Sequence, residues 1–386
     1  MTRRRRRRMR GAAVCTAAVL LPVMTAAAAK GASYFGSSAK KDMSISISST
    51  VGAAADRRDK TTESRIAPEE LIDERVMLSS GYGVEDESTA SRELLRLPSP
   101  LDMTAADAGE KPYPVQWDIG EGEIIRTTYD RYSGTAFFDL ENGGQVNNRT
   151  DIPNSELIAQ SRCLPNFTVE DADGPLVLLY HTHTTESFEP YVREHYDSSF
   201  NYRTTDETKN VIMVGNAIQA ELEAQGIGVI HMTEIHDYPS YNGSYARSRE
   251  TIVPILEKYP SIKVVLDIHR DAISGEGFAY QPFTEADGRE AAQIMIISGC
   301  DDGTLDMPDY MENFHFACTL QQKLESDTPG LTRPVLFDYR HYNQDLTNGS
   351  LLIEVGSHGN TLEQVQYAGQ LFGRSLGELL CGMKRS

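Results

Sequence analysis

Cysteine is scarce in this 386-residue sequence, and the spacing of its cysteines matches no known disulfide or metal-binding pattern. The five cysteines are far apart and form no C-x-x-C pair: Cys15, Cys163, Cys300, Cys318 and Cys381. This excludes a cysteine zinc cluster and does not indicate a disulfide scaffold, although a single bridge stays open. No G-x-S-x-G elbow or Cys–His signature occurs either. The sequence therefore does not favour a metal-free serine or cysteine hydrolase.

Positive charge is also scarce outside the N-terminus. Lysine and arginine total 37 residues against 56 aspartates and glutamates, for a net charge of −19, and seven of the arginines lie in the first ten residues. The body of the chain is therefore strongly acidic, whereas a nucleic-acid-binding domain would present a basic face. We predict no nucleic-acid partner, and an acidic surface alone identifies no other partner.

The N-terminus joins its arginine block to an uncharged, mostly apolar run from Gly11 to Ala29. This pattern predicts either a signal peptide, cleaved near Ala26 to Ala29, or an uncleaved single-pass anchor. The run is just long enough to cross a bilayer, which favours the anchor. Arginines before the span keep that end in the cytoplasm. The predicted location is the cell membrane, with the rest of the chain extracytoplasmic.

Composition divides the chain into four segments. Residues 1–30 hold the basic block and the apolar span. Residues 31–110 are rich in Ser, Ala, Thr and acidic residues without an apolar period, which predicts a disordered linker or stalk. Residues 111–173 combine short apolar pieces with Gly and Asn turns, which predicts a small β-rich lead-in. Residues 174–386 are the predicted catalytic domain.

Strand-like and helix-like patterns alternate in the last segment. The strand-like runs are PLVLLY, IGVIHM, KVVLDIH, QIMIISG and SLLIEVG. Helical spacing occurs at 211–222, 244–258 and 310–325, and again after the capping-box pattern at Thr361. This alternation predicts an α/β fold, with a mostly parallel sheet and helices on both faces, preceded by the membrane segment and the low-complexity stalk.

Polar residues of catalytic type stand at the ends of three of these strands. They are His181, His183 and Glu186 after the first strand, Asp267, His269, Arg270 and Asp271 at the end of the third, and Glu354 inside the fifth. Ligands in open α/β sheets bind outside the carboxyl ends of the strands. The sequence therefore predicts that these side chains lie at one edge of the sheet.

Zinc hydrolysis is the chemistry that best uses this set. A catalytic zinc takes three protein ligands, often two histidines and a glutamate, and lowers the pKa of a bound water. The candidate ligands are His183, Glu186 and His269. His181 is an alternative to His183, because residues i and i+2 of a strand share a face. Glu354 is the candidate general base and acid.

Each residue also has a structural interpretation. Glu186 could cap a helix, and Asp267 and Arg270 could form an ion pair. Glu354 could pair with a buried arginine. The corresponding alternative function is an exported α/β module that binds wall glycan or peptide without cutting it. Such a module has no need of three metal ligands and a spare carboxylate, so the hydrolase is favoured.

Four blocks, YHTHTTESF, VVLDIHRDA, YNQDL and LLIEVGSHGNTLEQ, together resemble the stage II sporulation protein P family of endospore-forming bacteria. That family is similar in turn to the zinc-dependent N-acetylmuramoyl-L-alanine amidases. The resemblance implies a Zn²⁺ cofactor bound by His183 and His269, with Glu354 catalytic. In the amidases the zinc glutamate opens the first long helix, where this sequence has Thr208 beside Glu207; Glu186 is preferred because it lies nearer the histidines.

The resemblance also implies a function. It implies a membrane-anchored peptidoglycan hydrolase that cleaves the amide between the lactyl group of the glycan and the stem peptide, with cleavage of peptide cross-links left open. Such an enzyme would act on the septal wall during engulfment, with the stage II sporulation proteins D and M as partners. Arg270, which follows His269 directly, is grouped with Glu354 as a catalytic candidate.

Overall fold

The computed structural model describes residues 122–169, 174–196, 202–275 and 277–384. The predicted basic block, membrane segment and stalk lie outside these residues and stay predictions. Within the described ranges, no helix is both long and apolar enough to cross a membrane.

The elements follow one another in this order. They are β1 (Gly122–Thr127), β2 (Phe137–Asp139), β3 (Gln145–Asn148), α1 (Asn154–Gln160), β4 (Val177–Tyr180), β5 (His195–Tyr196), α2 (Val211–Ala224), β6 (Val229–His231), α3 (Ser244–Lys258), β7 (Val264–Asp271), β8 (Ser274–Gly275), β9 (Phe278–Ala286), β10 (Arg289–Ala292), β11 (Ile294–Cys300), α4 (Tyr310–Asp327), β12 (Val335–Tyr339), a 3₁₀ turn (Gln344–Leu346), β13 (Gly349–Ser357) and α5 (Leu362–Met383).

The larger sheet has the strand order β2-β3-β12-β11-β13-β7-β4-β6. Strands β13, β7, β4 and β6 form a parallel block, but β11 runs antiparallel to β13, and β2 antiparallel to β3. The predicted α/β fold is therefore confirmed, but the sheet is mixed rather than mostly parallel throughout. A parallel return needs a crossover connection, usually a helix. Among the described residues, the strands β8 to β10 and no helix connect β7 to β11, so β11 enters the sheet reversed.

A second, five-stranded sheet was not predicted. Its order is β10-β9-β1-β5, with β8 also paired to β9. Strand β1 pairs in parallel with β9, although some 150 residues of chain separate them. The predicted lead-in segment therefore contributes β1 to this sheet, while its strands β2 and β3 extend the edge of the larger sheet.

Helices cover both faces of the larger sheet, as predicted. Leu179, Leu266 and Ile353 belong to the large apolar cluster that includes α2, α4 and α5. Their strand neighbours Leu178 and Val265 point the opposite way, into a smaller cluster with α3. The burial of both faces is why these strands read as continuous apolar runs, and it places the sheet's carboxyl edge between two layers of helix.

Candidate functional site

Strand β7 lies between β4 and β13, and all three run parallel, so their carboxyl ends meet at one edge of the sheet. The register pairs Tyr180 with Asp267 and Glu354 with His269. The residues that follow β4 therefore lie beside the carboxyl ends of β7 and β13. This is the edge that the sequence predicted.

Side-chain alternation decides which residues of β7 face the site. Ile268 belongs to the large cluster under α2 and α5, so Asp267 and His269 point to the opposite face. Glu354 points the same way as His269, because its neighbours Ile353 and Val355 also belong to the large cluster. His269 and Glu354 are therefore adjacent on neighbouring strands and on the same face.

His269 lies between two carboxylates. Its Nε2 is 2.8 Å from Asp267 Oδ1, and its Nδ1 is 3.5 Å from Glu186 Oε2. The His183 ring stands nearly perpendicular to the His269 ring, with 5.1 Å between the ring centroids. Glu186, His183, His269 and Glu354 are all almost fully buried. The structure thus brings together the two histidines and two glutamates that the sequence singled out.

The buried charges perturb one another. Burial opposes protonation of His269, but Asp267 and Glu186 outweigh it and hold the pKa of His269 well above its usual value. Burial would raise the pKa of Glu186, but its contact with His269 and the charge of Arg270 lower the pKa below its ordinary range. Burial lowers the pKa of His183, so this imidazole is neutral. Such shifts concentrate at functional sites.

Glu354 has the opposite shift from Glu186. Burial, reinforced by the negative charge of Asp271, raises the pKa of Glu354 to about 8. The pKa values of the two glutamates are therefore shifted in opposite directions. Such a difference lets one carboxylate stay charged as a ligand while the other takes up and releases a proton. Asp271 itself forms a buried ion pair with Arg333, at 2.8 Å between Oδ2 and Nη1.

His181 is turned away from this group. Its Nδ1 donates to the Ile268 carbonyl at 2.9 Å, because a carbonyl can only accept. Its Nε2 lies 2.8 Å from His231 Nε2, and accepts from it when His181 is neutral. Burial lowers the pKa of His181 well below its usual value, consistent with the neutral form. Both ring nitrogens of His181 are thus occupied, and of the two candidates it is His183 that stands beside His269.

The carboxylate alternatives also separate. Glu207 is exposed, whereas Glu186 is buried next to His269. The N-cap of α2 is Asn210, whose side chain accepts from Ile212 N, so Glu186 does not cap that helix. The only acidic side chain of the two that reaches the histidines is Glu186.

Arg270 and Asp267 do not form the ion pair considered from the sequence, because they point to opposite faces of β7. The Arg270 guanidinium donates to the carbonyls of Ser187 and Tyr202, at 3.0 Å each, and its backbone N–H donates to Glu186 Oε2 at 3.1 Å. Arg270 therefore holds the segment that carries Glu186. Its side chain lies on the far side of β7 from His269.

Aromatic residues that the sequence did not single out pack against the histidines. Tyr241 stacks on His183 with 4.4 Å between centroids, and its hydroxyl is 3.0 Å from His183 Nε2. Tyr245 lies parallel to His269 and stacks on Tyr342. The four-residue spacing of Tyr241 and Tyr245 did not by itself indicate a site. By contrast, the place of Asp267 two residues before His269 was a usable signal for its position on the same face.

The donor set fits zinc in kind. Two imidazoles and a carboxylate are a common catalytic set, and two ligands about 2.1 Å from a tetrahedral ion lie roughly 3.4 Å apart, close to the separation of His269 Nδ1 and Glu186 Oε2. Neither ring nitrogen of His269 makes an aligned hydrogen bond among the described residues, although each lies beside a carboxylate. In those residues, no group of three His, Cys, Asp or Glu side chains is arranged to hold a metal ion as it stands. In this arrangement His183 Nε2 contacts the Tyr241 hydroxyl.

The fold and the site define the class of protein: an α/β domain with histidines and glutamates buried at the carboxyl edge of its parallel strands. The chain belongs to the stage II sporulation protein P family, whose match covers residues 124–377. The family predicted from the four sequence blocks is thereby confirmed.

A curated relative, stage II sporulation protein P of Bacillus subtilis (strain 168), is 30% identical over 207 residues. The match covers 51% of this chain and 49% of the relative, so the chain spans about half the length of the curated relative it matches.

Solved structures with partial similarity include two amidases. The N-acetylmuramoyl-L-alanine amidase AmiC2 of Nostoc punctiforme has a TM-score of 0.32 at 14% identity and covers 54% of this chain and 97% of its own. The CwlD amidase from Clostridioides difficile, in complex with the GerS lipoprotein, has a TM-score of 0.33 at 12% identity and covers 54% and 99%. At these scores the likeness carries no inference about this chain.

Proposed function

We propose that this protein is a zinc-dependent peptidoglycan hydrolase, an N-acetylmuramoyl-L-alanine amidase that acts in sporulation. The observation that carries the proposal is the convergence of His183, Glu186, His269 and Glu354 in one buried group, within a member of the stage II sporulation protein P family. A module that only binds cell wall has no use for two buried carboxylates whose pKa values are driven apart.

His183, Glu186 and His269 would hold the ion. A zinc ion there would polarise the amide carbonyl and provide a water nucleophile at neutral pH. Within the chain, His269 presents its Nδ1 toward Glu186 while its Nε2 faces Asp267. Arg270 fixes the Glu186 carboxylate through its backbone N–H and the flanking segment through its guanidinium.

Glu354 would move the proton. As water adds to the carbonyl carbon of the lactyl group, its proton passes to the Glu354 carboxylate. Glu354 then gives that proton to the nitrogen of the departing L-alanine, and the C–N bond breaks. A general base works best when its pKa is close to the ambient pH, and burial moves the pKa of Glu354 in that direction.

The cellular setting belongs to the same proposal. The apolar run at Gly11–Ala29 would anchor the chain in the cell membrane by a single span, with the domain outside the cytoplasm. The substrate would be septal peptidoglycan during engulfment, with the stage II sporulation proteins D and M as partners. Support for this setting comes from the arginine-flanked apolar run and from family membership.

The test uses the full-length protein in detergent with purified peptidoglycan. We expect about one zinc per chain by elemental analysis, release of peptides with a new L-alanine amino terminus, loss of release after chelation, and recovery on adding zinc. Full activity with no bound metal would contradict the metal centre. Sedimentation of the protein with peptidoglycan, without any release of peptide, would favour the wall-binding alternative.

A further inference from the structure

Asp267 is a buried carboxylate for which the proposed reaction has no direct use. It lies on β7 two residues before His269, on the same face, and only 1% of its surface is exposed. Taking a carboxylate out of water is costly unless it is well paired. The contacts of Asp267 show how its carboxylate is stabilised and which side chain it acts on.

Two donors from one residue fix the Asp267 carboxylate. The backbone N–H of Thr182 donates to Oδ1 at 2.8 Å, and the Thr182 hydroxyl donates to Oδ2 at 2.6 Å. The hydroxyl is in turn 2.9 Å from Ser248 Oγ on α3. Thr182 stands between His181 and His183 in the segment after β4, so this clamp ties β7 to the segment that carries the first histidine.

Nε2 of His269 also lies close to Asp267 Oδ1, at 2.8 Å. A carboxylate with donors on both oxygens is an acceptor, so the lone pair of an unprotonated Nε2 would be repelled at this distance. Nε2 therefore carries the hydrogen when His269 is neutral, although its N–H is not aligned with Oδ1 as a hydrogen bond in this arrangement. The lone pair is then on Nδ1, the nitrogen that lies 3.5 Å from Glu186 Oε2.

We propose that Asp267 is the positioning residue of the metal site: it holds His269 in the tautomer with hydrogen on Nε2, so that Nδ1 is the ligating nitrogen. This inference rests on the proposed metal centre. A carboxylate behind a ligating histidine orients the ring and raises its basicity, and loss of such a partner typically weakens metal binding about 10- to 100-fold.

The first test is zinc affinity, measured by chelator competition on the full-length protein. Asp267→Asn keeps the shape and the contact with the Thr182 hydroxyl, but it removes the negative charge behind Nε2 that raises the basicity of His269. We expect zinc to bind this variant about 10- to 100-fold more weakly than wild type. Ser248→Ala is the matched control, because Ser248 is buried one step further along the same network and does not contact His269; it should keep wild-type affinity.

The second test reports the tautomer itself. In the zinc-loaded protein with ¹⁵N-labelled histidine, the His269 resonances, assigned by comparison with His269→Gln, should show hydrogen on Nε2 and metal on Nδ1. Zinc on Nε2 would overturn the inference. If Asp267→Asn does not fold, Thr182→Val takes its place, because it loosens the carboxylate without touching His269 and should also weaken zinc binding, by less.

The outcomes separate the two proposals. Wild-type protein that binds no zinc overturns the metal centre, and the role of Asp267 falls with it. Wild-type protein that binds zinc, together with an Asp267→Asn variant of unchanged affinity, overturns the role of Asp267 alone and leaves the proposed function in place.

Discussion

At the residue scale, the site depends on how burial treats two carboxylates differently. Glu186 receives the backbone N–H of Arg270 and lies beside His269, which stabilises its charge. Glu354 lies on the neighbouring strand, where burial and Asp271 oppose its ionisation. The same residue type thus has two chemical characters within one group, and each character suits one of the proposed roles.

Glu354→Gln tests the acid–base role. Glutamine keeps the size of the side chain but cannot take up a proton, so we expect turnover to fall by about 10²- to 10⁴-fold while zinc content and melting temperature are retained. Release of stem peptide from purified peptidoglycan, zinc content and thermal unfolding are the measurements. A folded, zinc-loaded variant with near-normal turnover would remove Glu354 from the mechanism.

His358 predicts a pH dependence of stability outside the proposed ligands. Burial, with the charge of Arg270, lowers the pKa of His358 to about 3 in the folded protein, against about 6.5 in the unfolded chain. The unfolded state therefore binds more protons than the folded state between these pH values. The contribution of His358 to the free energy of unfolding is full above about pH 6.5 and falls as the pH drops toward 3.

In the His358→Gln variant this proton uptake is absent. Urea unfolding gives the free energy of unfolding at each pH. Between pH 6.5 and 4.5 we expect this free energy to fall less in the variant than in wild type, by up to about 1.4 kcal/mol per pH unit. Half-buried His195 on β5 offers the matched control, and His195→Gln should follow the wild-type curve. Identical pH curves for His358→Gln and wild type would contradict the buried neutral form.

At the element scale, local signals and tertiary pairing contribute differently. Helix α5 begins with the capping box expected from the sequence: Thr361 accepts from Gln364 N, and the Gln364 side chain accepts from Thr361 N. Strand β11 was expected as a strand but not in its antiparallel direction, because direction depends on the connection through β8 to β10. Strand β9 was not expected at all, since its pairing with β1 joins distant parts of the sequence.

Thr361→Ala tests the cap. The substitution leaves the Gln364 N–H without its side-chain acceptor at a buried helix start, and we expect a loss of about 1 kcal/mol of unfolding free energy. Urea unfolding measures it. Thr361→Ser keeps the hydroxyl and should lie much closer to wild type. Equal losses for the alanine and serine variants would show that the methyl group, rather than the cap, stabilises the helix start.

At the scale of the whole molecule, the described residues cover most of the family match at 124–377, and the predicted basic block, membrane segment and stalk lie outside them. The membrane location is therefore still a prediction from the arginine block and the apolar run. Its physical basis is the asymmetry of positive charge across a span of sufficient length.

Protease added to intact protoplasts of a Gram-positive host tests this topology. We expect the domain to be digested, while a cytoplasmic marker protein is spared. If the chain is instead cleaved near Ala26 to Ala29, the N-terminal sequence of the mature protein will show it. Protection of the whole chain from the protease would contradict the extracytoplasmic location.

The sequence by itself determined the features that are local along the chain. The apolar runs of β4, β7 and β13, the helical spacing of α2 to α5 and the polar residues at the strand ends all follow from periodicity within a few residues. Because parallel strands bring their carboxyl ends together, the candidate site could also be predicted as a group containing His183, His269 and Glu354.

Only the tertiary structure decided what each side chain meets. His181 and His183 share a segment, yet His181 turns to His231 while His183 meets His269. Asp267 contacts Thr182 across 85 residues of sequence rather than its near neighbour Arg270. Such choices depend on which backbone carbonyls, rings and carboxylates the packed strands bring within about 3 Å, because hydrogen bonds and ion contacts act only at that range. Local sequence patterns carry no record of those distances.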